Sequence, residues 1–186
     1  MSAAGTGVLA TESGSATAAR PVTNVVVAGL GGQGVIKASD ILADAALRAA
    51  FDVKKAEVHG MSQRGGSVTS DVRFGAKVLS PMVPAGEADF LVVLAPSEVD
   101  LTRGLLRPGG LLLGPDLIPD EDLPNKRSLN VALLGALSVH LAIPVEAVLE
   151  AMKAALPERL HAVNEKAFEL GRTRALAGRT IRPTGS

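Results

Sequence analysis

Apolar residues in this chain fall into short runs closed by glycine, and between those runs they recur every three or four positions. The run Val25-Val26-Val27-Ala28, inside residues 24–29, is apolar throughout, which is the pattern of a central strand buried on both faces. From Val35 the positions Val35, Ala38, Leu42, Ala45 and Ala49 form one stripe and Lys37, Asp40, Asp44 and Arg48 the opposite one, predicting an amphipathic helix. Residues 53–59 predict a weaker strand and 60–66 a loop, because Gly65-Gly66 is costly inside a regular element. Residues 67–74 then alternate, with Val68, Ser70, Val72 and Phe74 on one side and Thr69, Asp71 and Arg73 on the other, so a strand with one wet face is expected. Gly75-Ala76 predicts a tight return into residues 77–79 and hence a hairpin there.

Further along, residues 89–94 read as a buried strand. Ser97 reads as the cap of a helix reaching about Arg107 and stopped by Pro108-Gly109-Gly110, and residues 111–114 return to the sheet. A Pro- and Asp-rich connection over 115–125 precedes three helices, at 129–141, 145–156 and 159–176, with Pro144 and Pro157 where first-turn prolines are tolerated. Alternating strands and helices predict an α/β fold: a doubly wound, mostly parallel, Rossmann-like sheet with helices on both faces and a helical C-terminal part. One domain over residues 22–176 is expected, flanked by flexible tails at 1–21 and 177–186.

Composition narrows the chemistry. Nineteen basic side chains balance nineteen acidic ones, so no field attracts nucleic acid or an anionic membrane surface, and neither is expected as a partner. Cysteine is absent, which removes disulfides, thiolate nucleophiles, Cys-ligated zinc and iron–sulfur clusters together. His59, His140 and His161 are scattered without metal-binding spacing, so no metal site is expected. The apolar runs are far shorter than the ~20 residues of a membrane-spanning helix, and residues 1–20 lack the basic and leucine-rich parts of a secretory signal, so cytoplasmic residence is the expectation.

Two stretches carry candidate chemistry. In "GLGGQG", Gly29-x-Gly31-x-x-Gly34 between strand and helix aims backbone N–H groups and the positive helix end at one spot, which favours an anion such as a pyrophosphate. An NAD reader also needs an acid about 20 residues on, at the end of the second strand; Glu57 is late and Asp52 early for that task. Gln33 at the tip occupies space a pyrophosphate would want. Gly31, Gly32 and Gly34 serve equally well if they only permit a tight turn and close helix packing. The second stretch, "EVHGMSQRGGSVTSDVRFG", presents Arg64 between Gln63 and Gly65-Gly66, where the backbone can approach another surface closely; a merely solvated arginine is the plainer reading. His59, with no serine or carboxylate tied to it by spacing, reads as a strand-end residue before it reads as an acid–base catalyst. In a doubly wound sheet both stretches lie at the carboxyl ends of strands, where ligand and partner contacts gather.

The segments "VAGLGGQGVIKASDILADAALRAAFDVKKAEVHGMSQRGGSVTSDVRFG", "SPMVPAGEADFLVVL", "NVALLGALSVHL" and "NEKAFELG" together resemble the β subunits of indolepyruvate:ferredoxin oxidoreductases, within the pyruvate/2-oxoacid:ferredoxin oxidoreductase γ-domain family. The resemblance covers residues 25–171, and it rests most on pairing G-x-G-G-Q-G with H-G-M-x-Q-R-G-G. It implies oxidative decarboxylation of an aryl 2-oxoacid with coenzyme A as co-substrate, giving an acyl-CoA, CO2 and reduced ferredoxin. It also implies that thiamine diphosphate, Mg and 4Fe-4S clusters reside on a larger α subunit and none on this chain, which is then inactive alone. Gly29, Gly31, Gly32, Gln33, Gly34, Gln63, Arg64, Gly65, Gly66 and Ser67 would face the partner's active site, with Arg64 and His59 the only candidates for a direct part. A free-standing dinucleotide-binding oxidoreductase and a purely architectural protein are the competing readings.

Overall fold

The apolar run at residues 24–29 lies where its pattern requires. In the computed structural model, which describes residues 22–60 and 65–178, β1 (Thr23–Leu30) is the middle strand of five. The others are β2 (Asp52–His59), β3 (Ser67–Gly75), β4 (Ala88–Val93) and β5 (Leu106–Leu113), in the order β2-β3-β1-β4-β5. The β1–β4 and β4–β5 ladders are parallel, and β3 is antiparallel to both β1 and β2. Four strands therefore run one way, as expected, but a reversed β3 is inserted between β1 and β2, making the sheet mixed. The reason is loop length: the 60–66 connection is too short for a crossover, which needs a dozen or more residues, so β2 and β3 can only form a hairpin.

That hairpin replaces the one expected between residues 67–74 and 77–79. After β3 the chain is drawn across the sheet instead of pairing with it. Val78 N donates to Asp52 Oδ2 at 2.7 Å, Arg73 donates to the carbonyls of Ser80 and Met82 at 3.1 and 3.0 Å, and Val83 N donates to Asp71 Oδ2 at 2.9 Å. Asp71 is consequently buried, although the alternation placed it on a wet face. Burial pushes its carboxyl above the ordinary carboxylate range, against the weaker opposing pull of Val83 N–H and Arg73. A raised folded-state value means the native protein binds this proton more tightly, so the group favours folding below its unfolded value and that contribution fades as pH rises through the folded one. Asp71→Asn keeps an acceptor for Val83, and in urea unfolding its stability relative to the parent should improve from about pH 4 to neutrality.

Among the described residues five α-helices accompany the sheet: α1 (Val35–Arg48), α2 (Pro96–Thr102), α3 (Leu129–Ser138), α4 (Val145–Ala155) and α5 (His161–Leu176). On one face α1 covers β1, β3 and β2 while α3 covers β4 and β5; α4 packs on α1, and α5 on α3. On the other face α2 and the turn at Arg103–Leu105 cover a smaller core. The pleat divides β1 between the two: Val25 and Val27 enter the larger core, Val26 and Ala28 the smaller. α3 is buried along almost its whole length, which explains why it is apolar all round.

Helix and strand ends depart from expectation where backbone chemistry decides. Ala95, not Ser97, precedes α2, with Pro96 at its first position, and the helix ends at Thr102. Pro108-Gly109-Gly110 lies inside β5, where the register slips from Ala88↔Leu106 to Phe90↔Leu111. Gly109 has φ 74°, and a Cβ on Gly110 would press into Leu106 and Ala88 O, so these glycines form a bulge against β4. α3 stops at Ser138, short of His140. No helix among the described residues is long and apolar enough to cross a membrane.

Candidate functional site

At one edge of the sheet the ends of β1, β2, β4 and β5 meet the start of β3, and both glycine stretches converge there. Gly34 has φ 86°, a conformation only glycine adopts freely, and its left-handed turn starts α1 without a side-chain cap. Gln33 folds inward: its Oε1 accepts from Leu30 N at 2.7 Å and its own N–H donates to Leu30 O at 3.1 Å. Gly31 N donates to Gly66 O at 2.9 Å, joining the glycine turn to the second stretch, and Gly60 N donates to Ser67 O at 2.8 Å, closing the neck of the 60–67 loop. Gly65, Gly66 and Ser67 are thus brought against Gly31. Gln63 and Arg64 lie outside the described residues.

These bonds bear on the dinucleotide reading. Of the amides in the glycine turn, those of Leu30, Gly31 and Gln33 are already engaged within the protein and are not open to a pyrophosphate. β3 also separates β1 from β2, so an acid at the end of β2 lies two strands away, about 10 Å, from the turn. Glu57 is occupied besides: Lys55 Nζ lies 2.5 Å from both Glu57 Oε1 and Asp40 Oδ1. Burial pulls the Lys55 ammonium down, but the two carboxylates outweigh it and hold it above its ordinary value, while Lys55 holds the Glu57 carboxyl below the usual range. His59 Nε2 sits 3.5 Å from Glu57 Oε2 with its side chain more than half exposed, a strand-end histidine beside a carboxylate that Lys55 already claims.

Next to the turn opens a cleft of about 510 Å³ whose wall includes Gln33, Gly34, Lys37, Lys126, Arg127 and Asn130. Asn130 Nδ2 donates to Gly34 O at 3.2 Å, so the first residues of α3 hold the start of α1. Lys126 Nζ is 3.2 Å from Asp120, and Lys37 Nζ reaches Ala155 O at 3.4 Å, both near the surface. Three cations beside a helix N-terminus make this cleft hospitable to an anionic group. Asn130, Lys126, Arg127 and Glu98, whose carboxylate accepts from Ser67 Oγ at 2.6 Å, escaped the sequence reading. "NVALLGALSVHL" is apolar but for its leading asparagine and its Ser-x-His, yet that asparagine is what reaches the turn, and no periodicity signals it. His140 and His161 are elsewhere: His140 faces Phe90 at 6.3 Å between ring centroids, its value lowered by burial, and His161 Nε2 lies 2.8 Å from Leu156 O.

The family model described as pyruvate ferredoxin/flavodoxin oxidoreductase matches residues 24–127. The indolepyruvate oxidoreductase subunit IorB of Thermococcus kodakarensis is 36% identical over 80% of this chain and 93% of its own length, and that of Methanothermobacter thermautotrophicus is 33% identical over 80% and 95%. The crystal structure of the keto/oxoacid ferredoxin oxidoreductase gamma subunit from Geobacter sulfurreducens superposes with a TM-score of 0.70 at 28% identity, covering 83% of this chain and 99% of that one. A 2-oxoglutarate:ferredoxin oxidoreductase from Magnetococcus marinus shares the fold, with a TM-score of 0.74 at 22% identity over 87% of this chain and 32% of that one. Since the matched segment runs from β1 through both glycine stretches to the Lys126-Arg127 wall of the cleft, the chain belongs to the pyruvate ferredoxin/flavodoxin oxidoreductase family.

Proposed function

We propose that this chain is the small, cofactor-free subunit of a heteromeric 2-oxoacid:ferredoxin oxidoreductase of the indolepyruvate type, and that its glycine turn and 60–67 loop face the active site of a larger subunit. The observation that carries this reading is the Gly31 N to Gly66 O bond, which joins the two stretches into one surface. What such a surface offers outward is close backbone approach rather than a cradle for a nucleotide of its own. The cationic cleft beside it suits an anionic group, such as a phosphate of coenzyme A or a substrate carboxylate.

In the reaction proposed for the complex, a 2-oxoacid loses CO2, its acyl carbon is oxidised and joined to coenzyme A, and two electrons leave towards ferredoxin. Thiamine diphosphate, Mg and clusters are assigned to the larger subunit. This chain has no cysteine to hold a cluster, and the described residues include no group of three or more His, Asp or Glu placed to hold a metal ion. Its own contribution is to bind, orient and exclude water. Arg64 is the side chain assigned to meet a carboxylate or a phosphate, because its planar fork suits either.

Three measurements test this. The tagged full chain should co-purify with a larger, cysteine-rich, thiamine-diphosphate-containing polypeptide, and Arg64→Lys should lower turnover of the reconstituted complex by about tenfold or more while the isolated subunit stays folded. Unchanged kinetics would remove Arg64 from the site. The rival reading predicts thermal stabilisation of the chain alone by NAD(H), NADP(H) or FAD through mass action; the expected response is flat, and a saturable shift would overturn the assignment.

A further inference from the structure

We propose that the open edge of β2 pairs with the β2 of a second copy of this chain, antiparallel about a two-fold axis at Ala56, so that two five-stranded sheets join into one. The inference stands independently of the function proposed above.

A sheet edge exposes unpaired backbone groups, and proteins blunt it with proline, bulges or charge unless another chain uses it. The two edges of this sheet differ. β5 carries Pro108 and the bulge at Gly109-Gly110. β2 runs from Asp52 to His59 without proline, glycine or a register shift, and its neighbour among the described residues is β3 alone. Gly60 N donates to Ser67 O in continuation of the β2–β3 register, so the hydrogen-bonded pairs are those in phase with it, Val58↔Thr69, Ala56↔Asp71 and Lys54↔Arg73. The N–H and C=O groups of Val53, Lys55, Glu57 and His59 therefore point away from β3, towards the open edge.

The charges on this edge complement themselves in one register. Two copies of a strand pair about a two-fold only where outward-facing residues stand opposite outward-facing ones. Registers centred on Lys54, Lys55 or Glu57 set that residue's charge against itself, and those centred nearer either end pair only a few residues. Centred on Ala56, Lys55 faces Glu57 of the second copy and Glu57 faces its Lys55. Lys55 Nζ already lies 2.5 Å from Glu57 Oε1 of its own chain, so the two copies close an alternating ring of four charges. On the opposite face alanine, the smallest side chain of the strand, sits on the axis, and Val58, 48% exposed in the single chain, gains the methylene stem of Lys54 as its neighbour. Further exposed apolar side chains border the same edge. Leu79 follows Val78, whose N–H is bonded to Asp52 at the start of β2, and Leu47 lies two turns along α1 from Asp40, the residue that holds Lys55.

The contact is small, at the low end of specific interfaces, so a dimer dissociating in the micromolar range is expected for the purified full chain. Because the chain has no cysteine, Ala56→Cys introduces a lone thiol. Across the axis the two Cα atoms would lie about 4.5 Å apart, within disulfide reach, and mild oxidation should convert most of the protein to a covalent dimer. Val58→Cys, about 13 Å from its own copy in this register, should cross-link at least about tenfold less. Sedimentation equilibrium then tests the charges. Glu57→Lys and Lys55→Glu should each raise the dimer Kd by about tenfold or more, since each makes both facing pairs alike in charge, whereas an equimolar mixture of the two should dimerise as the parent does, every lysine facing a glutamate. Ala56→Cys carries the test if a charge variant does not fold. A parent chain that stays monomeric throughout the micromolar range and gives no cross-link at position 56 would overturn the proposal. Equal cross-linking at positions 56 and 58, or a mixture that stays monomeric, would also overturn it.

Discussion

Gly171→Ala is expected to destabilise the isolated subunit by about 3 kcal/mol, the upper part of the usual range for overpacking. In an exposed helix the same change would stabilise by about 1 kcal/mol, because alanine is the better helix former. Here the sign reverses. Gly171 on α5 faces α3 so closely that a Cβ would collide with Ala132 O, and across the same crossing a Cβ on Gly135 would collide with Phe168 O. Both obstacles are backbone carbonyls, which cannot rotate away as a side-chain tip can, so the helices must separate and open the packing around Phe168 and Leu133, both fully buried. Thermal unfolding should show a midpoint about 10 °C lower. The Gly135→Ala/Gly171→Ala double variant should lose less than the sum, since one separation relieves both clashes. Gly104→Ala, where a Cβ meets nothing within contact distance, serves as the neutral control.

Gly34→Ala is expected to cost about 2 kcal/mol in stability and to impair the complex as well. Two effects add at this position. The φ of 86° is strained for alanine, and the new Cβ would collide with Asn130 Nδ2, the atom that donates to Gly34 O. Relief of either strain moves the start of α1, and with it Gln33 and the wall of the cationic cleft. Asn130→Ala removes the obstacle but leaves the backbone strain, so the Gly34→Ala/Asn130→Ala double variant should recover part of the stability loss and little of the activity. Equilibrium unfolding of the subunit and turnover of the reconstituted complex separate the two; wild-type stability in Gly34→Ala would show that the turn can relax without α3.

Much of this was legible in residue order. The run at 24–29, the period of α1 and the glycine-rich stretches are local signals, and each produced the element expected of it. The reversal of β3 was readable in principle, from a 60–66 connection too short for a crossover. The bulge at Gly109-Gly110 is not legible in the order of residues, because Pro-Gly-Gly stops a helix and kinks an edge strand by the same chemistry. The burial of Asp71 is not legible either, because alternation reports which face a side chain takes, not whether a later segment will cover that face.

Periodicity and turn chemistry alone determined that this is an α/β chain with two glycine stretches at strand ends and no thiolate to hold a cluster, because those properties reside in neighbouring residues and in composition. Only the tertiary structure decided that the stretches clasp each other through Gly31 and Gly66, that Asn130 steadies the turn from 96 positions away, and that a buried Glu98 anchors Ser67. Contacts between residues distant along the chain depend on how the sheet orders its strands and which helix lands on which face, and no local pattern encodes that choice.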